Sequence, residues 1–127
     1  MALAIATPMT ADEPGLANSL RAVRLDAVTR AIGARFAEPD ISPSAIGATM
    51  GLSVRYVHHI LQETGISFSE RVLELRLARA LSLLIGHEGH SLRVSDAALA
   101  AGFSDLSYFN RCFRRRYGVT PTTARGA

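Results

Sequence analysis

The chain of 127 residues predicts an all-α fold of about seven helices, and three observations carry that reading. No segment alternates apolar and polar residues strictly enough to make a strand. Apolar residues instead return at intervals of three and four in one stretch after another. Between those stretches stand serine, proline and glycine, the residues that start and stop helices.

Taken in order, residues 1–17 contain Pro8, Asp12, Glu13, Pro14 and Gly15, show no sustained period, and read as a flexible lead-in. From Ser19 the stripe Leu20, Val23, Leu25, Val28, Ile32, Phe36 predicts a first helix that ends near Ala37, before "EPD". Ser42 and Pro43 offer an N-cap and a first-turn proline for a short helix that runs to Met50 and stops at Gly51. Ser53 caps the next, Val54 to about Thr64, closed by Gly65. The segment "SFSERVLELRLARALSLLI" holds neither proline nor glycine, so Ser67 to Ile85 is the longest helix expected. After "GHEGHS", a short helix spans Val94 to Ala101 and ends at Gly102. Ser104 starts an arginine-rich helix that Gly118 ends, and Pro121 opens a last turn. In units, residues 18–66 and 87–127 flank a linker helix at 67–86.

With 48% hydrophobic residues, the chain can bury enough to fold as one domain, or as two very small ones sharing a core. No apolar run approaches 18 residues, and "MALAIATPM" is too short for an export signal and lacks its basic start, so a cytoplasmic location is expected by default. The single Cys112 has no partner for a disulfide or a CxxC pair and reads as a small apolar filler. All 14 basic residues are arginine. From Leu106 to the end there are five of them and no carboxylate, a local positive field that favours a polyanionic partner.

Two segments align. "AIGATMGLSVRYVHHIL" (45–61) lies on "DAALAAGFSDLSYFNRCF" (96–113) if the second copy carries one extra residue after its serine. Each runs from a short small-residue helix through Gly51 or Gly102 and one apolar residue to Ser, then into a second helix. Ala48 and Ala98 are small enough for two helices to cross closely, and the glycines suit a tight turn. This is the composition of a helix-turn-helix, whose second helix can enter a DNA major groove. In the first copy Tyr56, Val57, Ile60 and Leu61 take the core spacing, which leaves Arg55, His58, His59 and Gln62 on the opposite stripe. In the second, Tyr108, Phe109, Cys112 and Phe113 form the core face and leave Ser107, Asn110, Arg111 and Arg114 exposed. Both stripes carry side chains able to hydrogen-bond base edges. A linker of about 19 residues spans roughly 28 Å, enough to hold the two units over successive major grooves about 34 Å apart.

With these residues in view, "GFSDLSYFNRCFRRRYGVTP" closely resembles the C-terminal motif of AraC/XylS-type transcription regulators. "GLSVRYVHHILQETGISFSERVLELRLARAL" resembles their first helix-turn-helix and linker helix, and the match covers about Ser19 to Arg125. The resemblance implies a seven-helix domain that binds asymmetric sites near promoters and usually activates transcription. Carried over by position, it implies base reading by Arg55, His58 and His59 in the first unit and by Leu106, Ser107, Asn110 and Arg111 in the second. Two places depart from the family pattern. His59 stands where arginine is common, so the first helix holds less permanent charge, and Ala124 stands where an aromatic residue is usual after "TP". Family members are commonly about twice this length, which implies an effector-binding or dimerisation domain outside this chain unless it is a short stand-alone member.

The expected partners are therefore double-stranded promoter DNA and RNA polymerase, with no membrane partner, cofactor or metal. Phosphate contacts are expected from Ser53 and Ser104 at helix starts and from Gln62, Arg114 and Arg115. Arg114, Arg115 and Arg116 cannot all face one way, since successive residues turn by about 100°; for Arg115 and Arg116 a solvated or phosphate-contacting role is expected over base reading. "HEGH" (87–90) is not HExxH, and a solvated loop is favoured over a metal site. Arg76, among leucines, suggests a structural ion pair with Asp96, while Asp96 and Asp105 suit helix starts as dipole or capping acids. No nucleophile with a base and acid partner, glycine-rich phosphate loop or metal ligand set supports an enzyme. The alternative function is a helical protein-interaction module whose arginine face docks an acidic partner.

Overall fold

A computed structural model describes residues 8–86 and 92–126, with side chains from Gly15 onward. Among the described residues there are seven helices and no strand: α1 (Pro8–Arg35), α2 (Pro43–Ala48), α3 (Val54–Gln62), α4 (Phe68–Ile85), α5 (Val94–Ala100), α6 (Leu106–Tyr117) and α7 (Pro121–Gly126). None of the described helices is long and apolar enough to cross a membrane.

The helix starts follow the capping chemistry. Ser42, Ser53 and Ser67 each accept a backbone N–H two or three residues into the following helix, and Ser67 with Glu70 closes a reciprocal capping box at the start of α4. α6 departs from expectation. Its cap is Asp105, whose carboxylate accepts the Tyr108 N–H at 3.1 Å, and Ser104 is left in the preceding loop. The extra residue of the second copy is thus the one that takes over capping.

The first helix is longer than its period suggested. α1 begins at Pro8, so residues 8–17, expected as a lead-in, are helical. Met9, Ala11, Glu13, Leu16 and Ala17 are good helix formers and proline fits a first helical position. Periodicity is weak where the side chains are described: Leu16, Leu20 and Val23 are about half exposed or more, and from Gly15 onward the first buried residue is Val28.

Two apolar cores hold the helices. Val28, Ile32, Ile46, Val57, Ile60 and Leu61 form the first, and α4 adds Phe68 and Val72 to it. Ala97, Ala98, Ala101, Phe103, Phe109, Cys112 and Phe113 form the second, to which the same α4 adds Leu77, Ala80 and Leu84. One helix therefore serves both cores, turning its apolar side from one to the other between Val72 and Leu77. At 18 residues α4 is about 27 Å long. Ala124 packs on the second core, with Pro121 buried beside it.

The two repeated turns are built alike. The Leu52 N–H reaches back to the Gly47 carbonyl and the Phe103 N–H to the Ala98 carbonyl, both at 2.9 Å, across glycines at positive φ (Gly51 70°, Gly102 108°). The small residue that the first crossing requires is Gly47 rather than Ala48. A Cβ on Gly47 would collide with the Leu52 carbonyl oxygen and lie 3.2 Å from a Val57 methyl, whereas Ala48 is exposed.

Candidate nucleic-acid interface

α3 and α6 are the second helices of the two turns, and their buried sides fix which residues face out. Val57, Ile60 and Leu61 turn α3 inward, so Arg55, His58, His59 and Gln62 are exposed, as is Ser53 at its N-terminus. The Ser53 hydroxyl oxygen accepts the Tyr56 N–H, leaving its O–H free to donate. Tyr56 is half-buried and pinned from outside by Arg24, whose guanidinium lies 5.6 Å above the ring. A second tie between α1 and α3 is the Arg21–Glu63 ion pair at 3.2 Å.

Phe109, Cys112 and Phe113 turn α6 inward, and Leu106, Ser107, Asn110, Arg111, Arg114 and Arg115 are exposed. Phe103, Phe109, Phe113 and Tyr117 stack in sequence, neighbouring ring centres 4.8 to 5.6 Å apart, which anchors the helix from its start to its last turn. Tyr108 is not the core residue its spacing suggested. It is 42% exposed, at the rim, with the Arg111 guanidinium 5.8 Å over its ring. The neighbouring Cys112 thiol, then burial, push the phenol above its ordinary range.

The arginines of α6 divide into separate groups. Asn110, Arg111 and Arg114 line one cleft together with Thr120, Pro121 and Thr122. Arg115 and Arg116 lie on another side, along a groove with Glu70 and Glu74 of α4. There Arg116 makes a two-pronged pair with Glu74 at 2.9 and 3.0 Å and covers Tyr117, which raises the arginine's pKa through the carboxylate contact. Arg116 is thus a tie between α6 and α4 rather than a free charge. Arg55, Arg111, Arg114 and Arg115 have no carboxylate partner among the described residues. In the first unit His58 and Gln62 share a cleft with Gly65, Ile66 and Ser67 beside the start of α4.

Thr120 and Thr122 escaped the sequence reading of the site. The signal was present: in "VTPTT" Thr120 accepts the Thr123 N–H at 3.1 Å and caps α7, which brings the threonines beside Asn110 and Arg111. The ion pair expected between Arg76 and Asp96 does not form. Asp96 pairs with Arg93 at 3.3 Å, within its own helix start, and Arg76 donates to the backbone carbonyls of Phe36 and Glu38. The histidines of "HEGH" lie outside the described residues. Among the described residues no group of three His, Cys, Asp or Glu side chains is placed to hold a metal ion.

Comparison with known proteins accords with this geometry. A family model described as a helix-turn-helix domain matches residues 46–127. The transcriptional activator RhrA of Rhizobium meliloti is 34% identical over 102 residues, 80% of this chain and 32% of its own length. The chain likewise spans 28% of the transcriptional activator NphR of a Rhodococcus species, so it covers about a third or less of the curated relatives it matches. Among solved structures, an AraC-type transcriptional regulator from Chromobacterium violaceum superposes with a TM-score of 0.70 at 28% identity, over 87% of this chain and 94% of that one. With two helix-turn-helix turns on a shared α4 and these relatives, the chain belongs to the helix-turn-helix family of AraC/XylS-type DNA-binding domains.

Proposed function

We propose that the chain is the sequence-specific, double-stranded-DNA-binding part of a transcription activator, inserting α3 and α6 into successive major grooves. The observation that carries this reading is the pair of exposed stripes on equivalent helices of two repeated turns, both seated on α4, whose Arg55, Arg111 and Arg114 have no carboxylate partner among the described residues. Arg55, His58 and His59 read bases in one groove, and Leu106, Ser107, Asn110 and Arg111 in the next. Arg and Asn suit guanine and adenine edges, and Leu106, 44% exposed, suits a thymine methyl. Ser53, Ser104, Gln62 and Arg114 hold phosphate. Arg115 adds less, because Glu70 and Glu74 line its groove. RNA polymerase is the second partner, and the cytoplasm, where promoter DNA lies, is the location.

Selection of random duplexes on the purified chain, followed by sequencing, tests the proposal. The expected result is one asymmetric site with two short conserved blocks about one helical turn apart. Recovery of unselected sequence, or of a single block only, would refute two-groove reading.

A further inference from the structure

α4 is not the sole bond between the two units. Arg76 sits on it at the waist, next to Leu77, where the helix passes from the first core to the second. Its Nε donates to the Phe36 carbonyl at 2.7 Å and its Nη2 to the Glu38 carbonyl at 2.8 Å, both just beyond the end of α1. Gly102, the turn glycine of the second unit, reaches the same point. A Cβ there would stand 2.7 Å from Arg76 Nε, 2.9 Å from Ala37 Cα and 3.0 Å from the Ala37 carbonyl oxygen. First and second units thus meet backbone to backbone at Ala37 and Gly102, with the linker's half-buried Arg76 guanidinium against both. Around this point runs a cleft whose walls are Ile41 and Phe68 on one side and Phe103 and Tyr108 on the other.

The contact matters because α4 is a lever. A tilt of about 10° at one end of a helix about 27 Å long moves the other end by roughly 5 Å, more than the 3.4 Å rise of one base pair. A lone helix bends that much at little cost, so the units need a second contact if their spacing on DNA is to be fixed. Arg76 can supply it, because a planar fork holds two carbonyls at once in one fixed orientation, which the freely rotating ammonium of a lysine does not impose. Gly102 lies four residues before α6, so any shift there is passed to the recognition helix.

We infer that Arg76, seated against Gly102 and Ala37, is a positioning residue that fixes the rotation between the two helix-turn-helix units and so sets the spacing of the two DNA blocks the chain accepts. The inference rests on the two-groove reading above. It distinguishes this junction from a residue needed only for folding, since it predicts a change in spacing while base preference within each block persists.

The test uses duplexes bearing the two blocks selected by the wild-type chain, with spacers shortened or lengthened by one and two base pairs. The chains are the wild type, Arg76→Lys, Arg76→Met and Gly102→Ala, each checked for helix content by circular dichroism. The wild type should prefer one spacer by about tenfold or more over its neighbours, the cost of losing a base contact or two. Arg76→Met and Gly102→Ala should bind neighbouring spacers within about threefold of the best, a loss of the same scale. Block sequences should stay unchanged, and Arg76→Lys, which keeps the charge but not the fork, should fall between. A folded Arg76→Lys or Arg76→Met with the wild-type spacer preference overturns the inference, as does loss of base preference within a block at unchanged spacing. If Arg76→Met and Gly102→Ala fail to fold, Arg76→Lys decides alone. If the wild type selects no two-block site, the two-groove reading fails first and by itself.

Discussion

Arg111 leans over Tyr108, without a carboxylate among the described residues, in a cleft with Asn110 and Thr120. A guanidinium held on an aromatic face loses less entropy when it binds a guanine edge than one free in water. Arg111→Ala should therefore cost roughly 1 to 3 kcal/mol against the selected site and relax preference at one or two base pairs. An unchanged ratio of selected to random DNA in a titration would remove Arg111 from the readers. Glu70 gives a prediction of a different kind. The Ser67 backbone N–H and then its hydroxyl hold the Glu70 carboxyl below the usual carboxylate range. A carboxyl lowered in the folded state stabilises above its unfolded pKa, and that contribution is lost as pH falls through the folded value. Glu70→Ala should therefore melt below the wild type at pH 7, and the gap should close as the pH falls below about 4. Thermal melts at pH 7 and 3 check the sign. Such local features were largely legible in the sequence, because caps and exposed stripes depend on residues a few places apart. Arg76 and Arg116 were not, since their partners lie 40 and 42 residues away.

Among the elements, the two turns were legible as a repeat, and the separate causes of the two glycines in the first turn were not. Gly47 and Gly51 stand four residues apart and are required for unrelated reasons. Gly47 is needed for space, since any Cβ meets the Leu52 carbonyl; Gly51 has open space around it and is needed for its φ of 70°. Gly47→Ala should cost roughly 1 to 3 kcal/mol by overpacking the crossing of α2 and α3. Gly51→Ala should cost about 1 to 2 kcal/mol through backbone strain alone. Denaturant midpoints of the two variants separate the causes when Gly51→Asn is added: asparagine tolerates that φ and should recover part of the loss at 51, while no side chain does so at 47. The start of α1 was not legible either. Its first half buries nothing from Gly15 to Arg24, so amphipathic period, the strongest helical signal in a sequence, had nothing to report there.

For the whole molecule the question is how much of the positive charge reaches DNA. A net charge of +3 says little, because Arg21, Arg30, Arg35, Arg93 and Arg116 are already paired with carboxylates. Of the other nine, which have no carboxylate partner among the described residues, Arg55, Arg111, Arg114 and Arg115 lie on the exposed sides of α3 or α6. If they and a helix start displace about four or five counterions, affinity for random duplex should fall roughly 10²- to 10³-fold between 50 and 200 mM salt. Arg114→Ala should lower the slope of log affinity against log salt by about one. Arg115→Ala should lower it by less, because Glu70 and Glu74 share its groove, and Arg116→Ala should leave it unchanged while weakening the hold of α6 on α4. A flat response in the wild type would shift the reading to an acidic protein partner. Equal slope changes for all three substitutions would mean that the ion pair with Glu74 opens when DNA binds, and that α6 moves against α4 in the complex.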